Sequence, residues 1–258
     1  MRTARAAAVI GSLAVAPLAF GVPAFAAEDG TYQVPLEQLN DSGATGTAMV
    51  ELDGTKLHVT IEASGMVPNA PHAQHIHGDT TGKNFTCPTD ADLKQFDKDE
   101  NGVLSTTEGA AFYGPVHISL TTKGDTSAES GLAVDRFPTA DADGNLRYER
   151  TITLDQATAD NLTNLHIVQH GIDRNGNGKY DGKDKSDLNP DLPAEATDPA
   201  DCGAVQVSQL QGAPRGGVET GGGTQSPSAL PMYLLGSTAL AGAAGALVLR
   251  RRSAGEQV

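Results

Sequence analysis

The chain contains no tryptophan, and only eight phenylalanines and tyrosines fall between residues 28 and 225, so its core must be built from Val, Leu, Ile and Ala. Positive charge is scarce in the same segment. It holds 31 of the 32 acidic residues but 13 of the 18 Lys and Arg, a formal net charge of −18. Such a field disfavours nucleic acid and anionic membrane as partners and attracts cations. No long amphipathic helical pattern occurs, which leaves helix only for short pieces such as Ala91–Phe96 and Leu154–Ala159. The chain has two cysteines, Cys87 and Cys202. In an exported protein they read as one disulfide closing a long loop.

The ends differ from the middle. Residues 1–27 carry Arg2 and Arg5, an apolar run from Ala6 to Phe25 and the small-residue site Ala24-Phe25-Ala26, the pattern of a secretory signal peptide. Ala229–Leu249 is a 21-residue stretch without charge, long enough for one bilayer crossing. Arg250-Arg251-Arg252 follow it and would keep the basic tail, 250–258, in the cytoplasm. Residues 209–228, with Gly216-Gly217 and Gly221-Gly222-Gly223, read as a flexible stalk. The expected protein is therefore exported and anchored to the cell membrane with its main domain outside, in an envelope of Gram-positive bacterial type.

Between a polar lead-in at 28–45 and the stalk, residues 46–208 carry strand signals. Thr47–Leu52 and Leu57–Glu62 flank Asp53-Gly54, a hairpin turn pair. Leu57, Val59 and Ile61 alternate with His58, Thr60 and Glu62, as in a half-buried strand. Further strands are expected around Tyr32–Leu36 and at Ala73–His77, Val116–Leu120, Leu132–Asp135, Leu146–Leu154, Leu165–His170 and Ala204–Val207. Short strands between Gly- and Asp-rich turns predict an all-β sandwich or flattened barrel. Its long polar loops, 78–114 and 171–201, are places where function collects.

Two loops have calcium-ligand spacing. Asp97, Asp99, Asn101, Val103, Ser105 and Glu108 occupy the oxygen-donor positions of a twelve-residue loop, with Gly102 at the sharp turn. Asp173, Asn175, Asn177, Lys179 (through its carbonyl), Asp181 and Asp184 repeat the spacing, with Asp where Glu normally closes the loop. Neither loop shows an amphipathic helical pattern on both sides, so calcium is expected as a staple rather than a switch.

Histidines suggest a second kind of metal. His75 and His77, two residues apart, share one strand face, and His166 and His170 share a face by parity. Imidazole suits copper and zinc, whereas the carboxylate loops suit calcium.

His72-Ala73-Gln74-His75-Ile76-His77-Gly78 resembles the His-x-x-His-x-His segment of copper/zinc superoxide dismutases. Cys87, Ile167-Val168-Gln169-His170-Gly171 and Cys202-Gly203-Ala204-Val205 follow in that family's order. The resemblance implies a Greek-key sandwich, a Cys87–Cys202 bridge and copper on His75, His77 and His170. The fourth ligand it implies is His117 or His166. His117, after Gly114-Pro115, would be the bridging, proton-transferring histidine. Copper cycling between Cu(II) and Cu(I) would oxidise one superoxide to oxygen and reduce the next to peroxide. The family's further zinc ligands and its guiding arginine have no match: Asp135, Asp141 and Asp143 make a poor zinc site, and Pro199 stands where the arginine should be. Leu57 through Gly78 also resembles the strand–turn–HIHG pattern of CHRD domains, an extracellular module. The readings are thus a copper-dependent dismutase, an envelope copper-binding protein without activity, or a calcium-stabilised structural or adhesion module.

Overall fold

The computed structural model describes residues 27–207. Apart from Ala27, the expected signal peptide, and with it the stalk, the 229–249 helix and the basic tail, lies outside the described residues. Among those described, no helix is long and apolar enough to cross a membrane.

The described part is all-β, as the alternation predicts. Its strands are β1 Gly30–Gln38, β2 Thr45–Asp53, β3 Lys56–Ser64, β4 Gln74–Gly78, β5 Val116–Ser119, β6 Leu146–Thr153, β7 Leu165–His170, β8 Pro199–Ala204 and β9 Gln206–Val207. They form one antiparallel sheet in the order β5-β4-β7-β8-β1-β2-β3-β6, with β9 beside β1. The sheet curls because β1 serves two arms. Gly30–Leu36 pair with β2, whereas Glu37 and Gln38 pair with Cys202 and Asp201 of β8. At this corner Gly203 has no substitute, since a Cβ there would lie 2.3 Å from the Pro35 carbonyl oxygen.

The two arms differ in burial, and the difference locates the site. In β2 and β3 one face is buried through Ala48, Val50, Leu52, Leu57, Val59 and Ile61, and the other is open. Every residue of β4 and β7 is buried. Their inner face joins the main core through Ile76, Leu165 and Ile167, where each buried Leu or Ile contributes about 1.5–3 kcal/mol. Their outer face carries His75, His77, His166, Val168 and His170, and long insertions cover it. On that face Val168 packs with Leu39, Tyr113 and Cys202.

A polar rung also crosses the inner face of the histidine-bearing strands. Gln74 pairs with Gln169, and Gln169 with Asp201. Gln169 Nε2 donates to Gln74 Oε1 at 2.9 Å, and Gln74 Nε2 to the Leu120 carbonyl at 3.2 Å. Burial pushes the Asp201 carboxyl well above its usual range, with the Gln169 backbone pulling the other way. Gln169 Oε1 and both Asp201 carboxyl oxygens are buried without a hydrogen-bond partner among the described groups. A one-residue slip would break this rung.

Three expectations need adjustment. Leu132–Asp135 is not a strand; a 3-10 turn at Val134–Arg136 replaces it. The Arg136 guanidinium donates to the Asp125 carbonyl at 2.9 Å and to Ser130 Oγ at 2.8 Å, folding the segment onto its own loop. The strand expected at Ala204–Val207 straddles two: β8 spans Pro199–Ala204, masked by Pro, Ala, Asp and Gly, and Gln206–Val207 form β9. The short strand expected around Tyr32–Leu36 spans Gly30–Gln38 and sits mid-sheet.

Three helices, α1 Asp90–Phe96, α2 Thr106–Tyr113 and α3 Gln156–Asp160, complete the elements used below. The first calcium-like loop thus has a helix on each side after all, with the Phe96 and Phe112 rings in edge contact at 4.6 Å. Helices of seven and eight residues are too short to print a periodicity.

Candidate metal centre

His75, His77 and His170 each present one ring nitrogen to a common point, and these nitrogens lie within 4.8 Å of one another. The neighbouring-strand pairing of β4 and β7 brings the rings together. Irregularities in register aim them. Between β4 and β5 the ladder passes from Ile76↔Ile118 to His77↔Val116, and between β7 and β8 from Gln169↔Asp201 to His170↔Pro199. Each is a bulge beside a histidine, the device by which sheets redirect a side chain at a site.

The other nitrogen of each ring is fixed by a backbone carbonyl. His75 Nε2 lies 3.0 Å from Gly131 O, His77 Nδ1 2.9 Å from Gly114 O and His170 Nδ1 2.7 Å from Thr197 O. A carbonyl only accepts, so these ring nitrogens carry the hydrogen and donate it. The lone pairs then sit on His75 Nδ1, His77 Nε2 and His170 Nε2, which are buried and without a hydrogen-bond partner. Three convergent acceptors exceed what one water, with two hydrogens, can satisfy. A cation satisfies all three. Imidazole ligands held by a second hydrogen bond to a carbonyl are the usual outer shell of a metal centre.

Electrostatics keeps the rings neutral. Burial, then the neighbouring His170 and His77, hold His75 well below the ordinary imidazole value. Burial and His170 bring His77 down to about 3, although its Gly114 bond opposes this. Burial brings His170 to about 4 against its bond to Thr197. The folded rings stay neutral where the unfolded chain's would take up protons, so the fold loses stability as pH falls from the unfolded-state pKa of about 6.5 toward the folded values. The metal-free chain is therefore expected to lose melting temperature progressively from pH 6.5 toward 4, measured in a chelator by differential scanning calorimetry. A flat profile would contradict the burial of neutral rings.

The remaining histidines are not among the three gathered nitrogens, although His166 and His117 add to the lowering of His77. His117 is the residue skipped by the β4–β5 bulge, and its Nε2 is 3.2 Å from the Gly78 carbonyl oxygen. His166 faces His77 across the strands, buried, with its pKa lowered by burial and Nδ1 without a partner. His72 buttresses from behind: Nδ1 lies 2.9 Å from the His170 carbonyl oxygen and Nε2 3.1 Å from that of Val67, with the Tyr180 hydroxyl at 3.0 Å from Nδ1.

Among the described residues the second gathered group is Asp97, Asp99 and Glu108. Gly102, at φ +84°, makes the turn, and its N–H donates to Asp97 Oδ2 at 2.7 Å. Asn101 Oδ1 accepts from Val103 N–H at 2.8 Å. Glu108 accepts from Lys98 N–H at 2.7 Å and Ser105 N–H at 2.9 Å, so Ser105 and Glu108 also open α2 in the manner of a capping box. Asn40 clamps Leu104 in both directions, at 2.7 and 3.0 Å, which ties the loop to the sheet. The 173–184 loop is arranged differently. Asn175 and Asn177 donate to Asp181 Oδ1 at 3.1 and 2.8 Å, Asp173 accepts from Gly176 N–H at 2.7 Å, and Asp184 turns to Arg174 at 3.3 Å. Lys179 lies between Gly178 and Tyr180 in that loop, whose acidic side chains are not gathered as those of the first loop are.

Cys87 and Cys202 form a disulfide across a sequence separation of 115. It belongs to the apolar cluster on the outer face, with Tyr113 and Val168. Sequence reasoning did not reach the carbonyls of Gly114, Gly131 and Thr197, because a backbone acceptor leaves no residue signature. A pocket of about 310 Å³ opens above the three histidines. Arg174 is held by Asp198 at 2.6 Å. Burial pushes the Asp198 carboxyl up to about 7 and Arg174 pulls it down.

No curated protein matches the chain. Residues 25–133, which include β1 to β5, His75, His77, the first acidic loop and Gly131, match the family model of the CHRD domain.

Proposed function

We propose that the chain is an exported, membrane-anchored copper-binding domain whose functional centre is the imidazole triad of His75, His77 and His170. The observation that carries this reading is the convergence of three buried, proton-free ring nitrogens, each oriented through its opposite nitrogen by a backbone carbonyl. An all-nitrogen donor set binds Cu(II) more tightly than the other divalent first-row ions, zinc included. Bound copper would supply one-electron chemistry or simple capture. The protein's own part is to present three neutral donors and keep water from their outer nitrogens. The likeness to copper/zinc superoxide dismutases in the His75–His77 and His170 segments supports the metal and a Greek-key sandwich.

Dismutation of superoxide is the weaker reading of the same site. No Lys or Arg lines the pocket above the triad, and a negative domain repels an anionic substrate. Calcium in the 97–108 loop is a structural part of the proposal, favoured by the gathered carboxylates of Asp97, Asp99 and Glu108.

Metal analysis of the full chain after mild chelation tests the reading. One equivalent of copper should remain, and it should be lost in His75→Ala/His77→Ala while calcium uptake is unaffected. Superoxide decay by the copper-loaded chain should not exceed that of free copper. Calcium alone in the unmodified chain would leave the structural-module reading in its place.

A further inference from the structure

The pocket above the triad has a chemical character of its own. Its floor is formed by His75, His77 and His170, and its walls include Val116, Ala128, Leu132 and Leu188. Leu132 and Leu188, 39 and 45% exposed, are the exposed large hydrophobics of the described residues, and both belong to this rim. They come from different insertions, one before β6 and one before β8, so their meeting here is a product of the fold. Single exposed leucines are ordinary; two from separate segments around one set of metal donors are a wall.

The polar groups of the lining are unavailable to an anion. Thr106 Oγ1 donates to the Thr197 carbonyl, and Thr197 Oγ1 is 2.8 Å from Ser186 Oγ. Glu129 on the rim would repel negative charge, and Lys and Arg are missing from the lining. The nearby guanidiniums are engaged elsewhere, Arg174 with Asp198 and Asp184, and Arg136 with the Lys123 and Asp125 carbonyls and Ser130. A ligand entering here meets donors that only a metal can use and walls that only an apolar body can fill. The volume, about 310 Å³, lies at the small end of ligand pockets and suits a small molecule of one or two rings.

Building on the copper reading above, we propose that the pocket binds a neutral aromatic donor molecule, its nitrogen or oxygen on the copper and its ring between Leu132 and Leu188. The ligand class thereby excludes small anions. Apolar burial supplies the preference, since the polar lining discriminates only against negative charge.

The test uses the full chain loaded with one copper and follows its ligand-field absorption during titration with imidazole, 4-phenylimidazole and azide. The expected result is 4-phenylimidazole binding at least tenfold tighter than imidazole, with azide weaker than either. Leu132→Ser/Leu188→Ser, exposed positions whose change spares the core, should bring 4-phenylimidazole back to the level of imidazole and leave imidazole itself unchanged. Equal affinities of the two imidazoles in the unmodified chain, azide as the tightest ligand, or an unaltered preference in the double variant would each overturn this proposal while leaving the copper centre standing. Failure of the chain to take up copper would overturn both.

Discussion

Copper at a thousandfold excess over its dissociation constant is expected to raise the unfolding free energy of the chain by about 4 kcal/mol, and His170→Ala is expected to abolish that rise. Without metal, the triad carries three buried acceptors without partners, each of which costs about 1–3 kcal/mol. A shared cation removes all three penalties at once. Truncating His170 removes one lone pair and a 2.7 Å bond to Thr197, effects of opposite sign, so the metal-free variant should stay within about 2 kcal/mol of the parent. His117→Ala supplies the contrast. Its ring lies at the bulge, bonded to the Gly78 carbonyl and outside the triad, and the copper-linked rise should survive its loss. Calorimetry with and without copper on the three proteins distinguishes these cases. A rise that persists in His170→Ala, or disappears in His117→Ala, would place the ion elsewhere.

The second large effect comes from the Cys87–Cys202 bridge. Closing a loop with a sequence separation of 115 lowers the entropy of the unfolded chain by an amount worth about 4.7 kcal/mol in the chain-entropy model. Cys87→Ala/Cys202→Ala should lose stability of that order in urea denaturation. The bridge also supports the centre. Thr86 N–H bonds the Phe112 carbonyl at 3.0 Å in the last turn of α2, and that helix ends at Gly114, whose carbonyl orients His77. Loss of the bridge should therefore lower copper affinity at least tenfold in addition. If stability falls and affinity stays, the bridge is only a chain staple.

The sheet was legible in the sequence because its signal is local. Leu57, Val59 and Ile61 alternate against His58, Thr60 and Glu62, and Asp53-Gly54 marks the turn; β2 and β3 lie where these residues put them. The same rule placed His75 and His77 on one face opposite Ile76. The meeting of that face with His170 depends on β4 lying beside β7, a pairing 87 to 95 residues apart in sequence that no local pattern encodes; it came into view through family likeness. What escaped notice was short or non-local. α2 begins at residues whose oxygens already fitted a calcium loop, and Ser105 and Glu108 cannot announce both roles at once. β8 is written in Pro, Ala, Asp, Cys and Gly, a composition that spells turn until β1 and β7 flank it. The pocket rim needed Leu132 and Leu188 to arrive from two insertions.

The three carbonyls that orient the triad belong to three different covering segments: Gly114 after α2, Gly131 after a short turn, and Thr197 before β8. The sheet supplies the rings, but the coverings decide where they point. A protease that nicked any one covering would leave the sheet intact and release one ring from its tether. On the copper reading, such a clipped molecule would still look folded by circular dichroism yet hold its metal loosely, so cleavage would unload the centre without unfolding the sheet.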